Sequence, residues 1–161
     1  MFLYRKATFA DVDEIHDLIA VYAAQGLMLP KPHSTLYETL REFVVAEEVE
    51  SKKIVGVGAL HLTWNELAEV RSMAVHSDFS RRGIGSAIVK KLLEEGRAVG
   101  VKEFFTLTYR PDFFQSLGFT TTTKESLPHK IWKECIDCPK FANCDEIAMI
   151  LDCNQEFEIR N

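Results

Sequence analysis

The segment Leu67–Val75 followed by Ser80, Arg81, Arg82, Gly83, Ile84, Gly85, Ser86 and Ala87 constrains this chain more than any other. It reads as a buried strand, a polar turn, and a helix opened by two glycines. The first amides of a helix have no carbonyl partner within it, and the helix dipole adds partial positive charge there. Such a turn is therefore a place where main chain can hold phosphate. Gly83 and Gly85 are expected to take backbone angles that a side chain forbids and to let a ligand approach closely. A tight turn packing an ordinary helix would use the same residues. Two other glycine loops are excluded, since a P-loop ends in Gly-Lys-Ser/Thr and a dinucleotide fingerprint needs three glycines with an acid about 20 positions on.

Composition narrows the possible partners. With 161 residues, 47% apolar and 27% charged, the chain suits one domain over 1–161, within which about 124–145 forms a cysteine-bearing flap. A formal charge of -5 argues against nucleic acid, whose backbone is bound through clustered Lys and Arg. The bases that do cluster, Arg81 and Arg82 with Lys90 and Lys91, surround the glycine turn and suit a small polyanion. No window nears the roughly 20 apolar residues of a membrane span, so the expected location is the cytoplasm.

Periodicity supplies the other elements. Leu3 to Arg5 opens a strand, and Thr8 with Asp11 three positions on has the form of a helix cap before Val12, Ile15, Leu18, Ile19 and Tyr22 at helical spacing. Pro30 and Pro32 exclude helix from the next loop. Thr35 with Glu38 then predicts a second helix whose buried stripe is Leu36, Leu40 and Phe43. Strands are predicted over 44–48, 54–62, 67–75, 104–108, 119–122 and 147–151. The helix after the glycines carries Ile84, Ile88 and Leu92 and ends at Gly100, while Pro111 starts a short helix through Leu117 that Gly118 caps.

Both the Arg82-x-x-Gly85-x-Ala87 spacing and this order of elements resemble the GCN5-related N-acetyltransferases. The resemblance implies an α/β fold: a single mixed, mostly antiparallel sheet of about seven strands, splayed at its centre and flanked by about four helices. It implies acetyl-CoA as cosubstrate, with pyrophosphate held by Arg81, Arg82, Gly83, Ile84, Gly85, Ser86 and Ala87, and the pantetheine arm by main chain of Met73, Ala74 and Val75. Phe114 is placed on the same cofactor side. The Met73 amide is the candidate donor to the carbonyl oxygen, where negative charge develops.

A finer resemblance is to the short bacterial amino-acid acetyltransferases that make N-acetylglutamate for arginine biosynthesis. It rests on Gly26 to Lys31, Ala68 to Val75 and Leu127 to Trp132. It implies transfer of acetyl to the α-amine of an amino acid, L-glutamate first, by direct attack in a ternary complex. Met28, Leu29, Lys31, Arg71, Ser72, Thr108 and Lys130 are then the acceptor-side residues. Lys31 and Lys130 stand where family members often carry arginine, and lysine lacks the planar fork that grips a carboxylate. Each is otherwise an ordinary surface lysine, and Arg71 can instead pair with Glu69.

Glu69 is the candidate general base, with His61 on the neighbouring strand as the competing base. Many relatives place a tyrosine where Phe113 and Phe114 stand, to protonate the leaving thiolate, and neither phenylalanine can do so. Cys135, Cys138, Cys144 and Cys153 lack the two close pairs of a usual zinc site, so no metal is expected and the residues read as reduced thiols. A homodimer through a late edge strand is compatible with the sequence. Three rival readings remain at this level: the same fold acting on another small amine or a protein N-terminus, a CoA-binding module with little catalysis, and a zinc-stabilised scaffold.

Overall fold

The computed structural model describes residues 1–127 and 146–153. Its strands are β1 (Phe2–Lys6), β2 (Phe43–Glu48), β3 (Ile54–Trp64), β4 (Leu67–Val75), β5 (Glu103–Thr108), β6 (Thr120–Thr121) and β7 (Ile147–Asp152). The α-helices are α1 (Val12–Ala23), α2 (His33–Glu38), α3 (Ile84–Ala98) and α4 (Pro111–Gln115). The strands form a seven-stranded mixed sheet in the order β1-β2-β3-β4-β5-β7-β6. The chain packs as two compact units, Met1–His61 with Val70–Glu95, and Leu62–Glu69 with Gly96–Asn161.

In the first unit β1, β2 and β3 pair antiparallel, with a bulge between Ala46 and Glu47. Helix α1 turns Val12, Ile15, Leu18 and Ile19 onto a core with Leu36, Phe43, Val45, Ile54, Val57, Ala59 and Ala74. Two glycines let α3 settle on β3. A Cβ on Gly56 would come within 2.8 Å of Ile84 Cγ2, and one on Gly58 would overlap the Met73 sulfur and lie 2.7 Å from Ile88 Cγ2. The Thr8 and Asp11 capping box forms, on the turn that leads into α1. The Asp11 carboxylate accepts from the Thr8 amide at 2.7 Å, and the Asp11 amide donates to Thr8 O at 3.0 Å, with a 3-10 turn (Phe9–Asp11) leading into the helix.

The second helix differs from its prediction. Pro32 is its N-cap and the helix stops at Glu38, so Thr35 lies inside it and is not the cap. Thr39, at φ -107, breaks the helix before a 3-10 turn (Leu40–Glu42), and Phe43 opens β2. Phe43 is still buried, because a strand can deliver to the core a side chain that the helical stripe also demanded.

In the second unit β4 and β5 run parallel over the pairs Leu67 with Glu103, Ala68 with Phe104 and Glu69 with Phe105. β7 pairs antiparallel with both β5 and β6. Leu67, Phe105, Leu127 and Ala148 make its apolar cluster. Pro111 begins α4 as expected, but the helix ends at Gln115, two residues short of the predicted Leu117. Gly118, at φ +98, donates its amide to Gln115 O at 3.0 Å. The strand predicted over 119–122 is cut to Thr120–Thr121.

Candidate functional site

The turn after β4 is built from main chain. Tyr22 on α1 donates its hydroxyl to the Val75 carbonyl, fixing the strand's end. The His76 amide donates to Val55 O at 2.8 Å, and a 3-10 turn (Ser77–Phe79) follows, in which His76 Nδ1 accepts from the Asp78 amide at 3.1 Å. Arg81 and Gly83 then adopt φ +63 and +77, and the α3 ladder starts with the Ala87 amide donating to Gly83 O at 3.0 Å. The amides of residues 83–86 are therefore those for which the helix supplies no carbonyl. Arg81, Arg82 and Gly83 are exposed there, with Gly85, Ser86 and Ala87 partly so. The Arg82 guanidinium stands 5.2 Å over the Phe79 ring, which makes edge contacts with Phe2 and His76.

One expectation needs correction here. Gly83 takes a positive φ but Gly85, inside the first turn of α3, does not, so only Gly83 is needed for its backbone angle. The residue that shares the left-handed region is Arg81, which no glycine signal marked. The side chains of Ala74 and Ile84 are 4% and 1% exposed and belong to the core.

A second cluster in the same unit is made of side chains. Glu42, at the end of the 3-10 turn before β2, meets His61 Nδ1 through Oε2 at 3.0 Å and Arg71 Nη2 through Oε1 at 3.4 Å. Glu42 went unmarked in the sequence because it fell on the assumed polar face of a longer second helix. Next to Arg71, Ser72 sits at φ +57 within β4, an unusual angle for a residue with a side chain. Met28 packs against the apolar core, Leu29 is exposed, and Lys31 is partly exposed.

In the second unit Glu69 is partly buried on β4. Thr108 is buried, and its hydroxyl oxygen accepts from the Arg110 amide at 2.8 Å. Phe114 is 4% exposed, with its ring edge-on to Phe113 and Phe119 at 5.0 and 5.2 Å. It packs in the apolar interior of this unit. A cavity of about 360 Å³ near the β3–β4 turn is lined by Trp64, Glu66, Lys102, Glu103 and Asp152 among others. Burial, with the Asp152 carboxylate opposite, pushes the Glu103 carboxyl up from its ordinary range. Lys130, Cys135, Cys138 and Cys144 lie outside the described residues. Among the described residues no group of three or more His, Cys, Asp or Glu is arranged to hold a metal, and no helix is long and apolar enough to cross a membrane.

The acetyltransferase (GNAT) domain profile matches residues 39–121. An uncharacterized N-acetyltransferase of Chlorobaculum tepidum is 38% identical over 91% of this chain and 93% of its own length. An amino-acid acetyltransferase of Mycobacterium tuberculosis is 42% identical over 72% of this chain and 67% of its own. Among solved structures, a Mycobacterium tuberculosis protein in complex with CoA and NLQ superposes with a TM-score of 0.82 at 33% identity, covering 93% of this chain and 98% of that one. The N-acetylglutamate synthase of Neisseria gonorrhoeae, complexed with coenzyme A and N-acetyl-glutamate, gives 0.85 at 21% identity, covering 95% of this chain and 35% of that one. At that identity it speaks for the fold alone.

Proposed function

This chain belongs to the GNAT acetyltransferase family and is an acetyl-CoA-dependent acyltransferase, and from that premise we propose that its acceptor is the α-amine of an amino acid, L-glutamate first. The observation that carries the reading is the 42% identity to an amino-acid acetyltransferase. The fold shared with an N-acetylglutamate synthase and the cations at Lys31 and Arg71 support it, the latter suiting an acceptor with two carboxylates. Lys130 is the third cation of the proposal.

When bound, acetyl-CoA supplies an activated acyl carbon on a thioester. The amides at the start of α3, with Arg81 and Arg82, hold the pyrophosphate. The Met73 amide donates to the carbonyl oxygen as negative charge develops there. Glu69 takes a proton from the acceptor's ammonium, directly or through one water, the neutral amine adds to the acyl carbon, and as the C–S bond breaks the second N–H proton passes to solvent and the thiolate departs. A carboxylate in water is a weak base for an ammonium, so either the surroundings of Glu69 strengthen it or bulk water deprotonates part of the acceptor before it binds. The thiolate leaves without a tyrosine acid, which its conjugate pKa of about 8.5 permits.

Acetyl-CoA turnover against a panel of amino acids, read by chromatography of the acetylated product, tests the reading. L-Glutamate acetylated well above the others is the expected result. Binding of CoA with no amino acid acetylated would overturn the acceptor assignment and leave the family membership intact.

A further inference from the structure

One carboxylate in the first unit holds two groups that amino-acid chemistry would use. Glu42, His61 and Arg71 come from three separate elements, 19 and 29 residues apart from Glu42 in sequence. Their side chains are 23%, 26% and 18% exposed, covered enough to be held and open enough to be reached. His61 lies on β3 at the first position after seven fully buried residues. β4 distorts next to Arg71, where Ser72 takes φ +57. Backbone angles of this kind persist where the surroundings over-determine them, and they collect at functional sites.

The chemistry of the contacts is directional. An ionised carboxylate only accepts hydrogen bonds, so the 3.0 Å contact requires a proton on His61 Nδ1. A guanidinium presents five donors in a planar fork suited to a carboxylate, and the 3.4 Å contact from Nη2 to Glu42 helps to orient that fork.

We propose that Glu42 is a positioning residue of the acceptor side: it fixes the tautomer of His61 and steadies Arg71 for the acceptor's carboxylate. The second half rests on the amino-acid reading above. The first half does not.

The test uses the full chain and Glu42→Gln, with His61→Gln to assign the ring signals. Nitrogen-15 spectra taken where imidazole is neutral, at about pH 8, should show His61 protonated on Nδ1 in the wild type and as a mixture of tautomers in Glu42→Gln. Kinetics then use whichever acceptor the wild type acetylates best from a panel of amino acids, polyamines and peptide N-termini. For an amino acid, Glu42→Gln should raise the acceptor KM about tenfold, the worth of one charge-assisted hydrogen bond, and leave the acetyl-CoA KM unchanged. Adding Glu42→Gln to Arg71→Lys should cost less than it does alone, and Glu42→Asp should recover part of the loss.

A wild-type ring with no proton on Nδ1 overturns the proposal whatever the acceptor. So does a Glu42→Gln protein with unchanged acceptor KM, or one in which both KM values rise together. If the panel shows a polyamine as the acceptor and no amino acid, the amino-acid reading fails together with the Arg71 half, and the tautomer measurement decides the His61 half.

Discussion

Asp11 and Glu42, both in the first unit, each accept from basic side chains, and they use their oxygens differently. Asp11 is 5% exposed and receives both terminal nitrogens of Arg5, at 2.7 and 2.9 Å, as well as the Thr8 amide and hydroxyl. Arg5 is in turn gripped by Glu47 at 2.8 Å. Glu42 is more open and makes two single contacts, of which the one to Arg71 is long at 3.4 Å. A carboxylate saturated by a bidentate fork and a helix amide holds a fold together. One that makes single contacts to partly exposed partners leaves them within reach of a ligand. The number of lone pairs already committed and the solvent still reaching them, more than the charges themselves, separate the two.

The largest expected effect follows from removing the saturated one. Asp11→Ala deletes the capping box before α1, worth ~1 kcal/mol, and strips the Arg5 guanidinium of its main partner, worth a further ~1.5–3 kcal/mol. A fall of about 3 kcal/mol in unfolding free energy by urea titration is expected, with both KM values unchanged. Glu42→Ala should cost under ~1 kcal/mol, as partly exposed pairs do. Equal losses from the two would erase the distinction between them.

Acidification separates the same two groups more gently. Burial by itself would raise the Asp11 carboxyl, but the Arg5 hydrogen bonds, the Thr8 amide and the Arg5 charge outweigh it and hold it below its ordinary value. A group whose folded pKa is depressed contributes stability that is complete above its unfolded pKa of about 3.9 and is lost as pH falls through the folded value. The urea midpoint of the wild type should therefore decline below about pH 4. Asp11→Asn should start lower and decline less steeply. A parallel decline in the two proteins would mean that other carboxylates carry the acid sensitivity.

This contrast also explains what could be read from the chain beforehand. The Thr8 to Asp11 cap, the α1 stripe and the turn from Leu67–Val75 into α3 are contiguous patterns, and each was legible because its physics acts within a few residues. Glu42 was hidden by a pattern that ran too far. Leu36, Leu40 and Phe43 have helical spacing, yet the chain leaves the helix at Thr39 and buries Phe43 from a strand, so Glu42 moves from an assumed solvent face to a turn beside His61. Gly56 and Gly58 escaped notice because their role, admitting Ile84 and Ile88 of α3, depends on residues some 30 positions away. Ser72 and Arg81 take left-handed angles without the glycine that usually announces them.

A third cation tests whether a positioning partner can be measured when it is neither charged nor deeply buried. Arg82 rests over the Phe79 ring at 5.2 Å, and Phe79 is itself braced edge-on by Phe2 at 5.9 Å. An exposed cation–π contact is worth ~0.5–1 kcal/mol, or about two- to fivefold in affinity. If the ring holds Arg82 ready for the pyrophosphate, Phe79→Ala should weaken CoA binding by that factor in calorimetry, and should add nothing in an Arg82→Ala background. Loss of the Phe2 contact would lower stability in both backgrounds alike, so the double-mutant cycle separates packing from positioning. A Phe79→Ala effect of equal size with and without Arg82 would show that the ring serves the turn's shape, leaving Glu42 as the side chain whose work is done through its cationic neighbours.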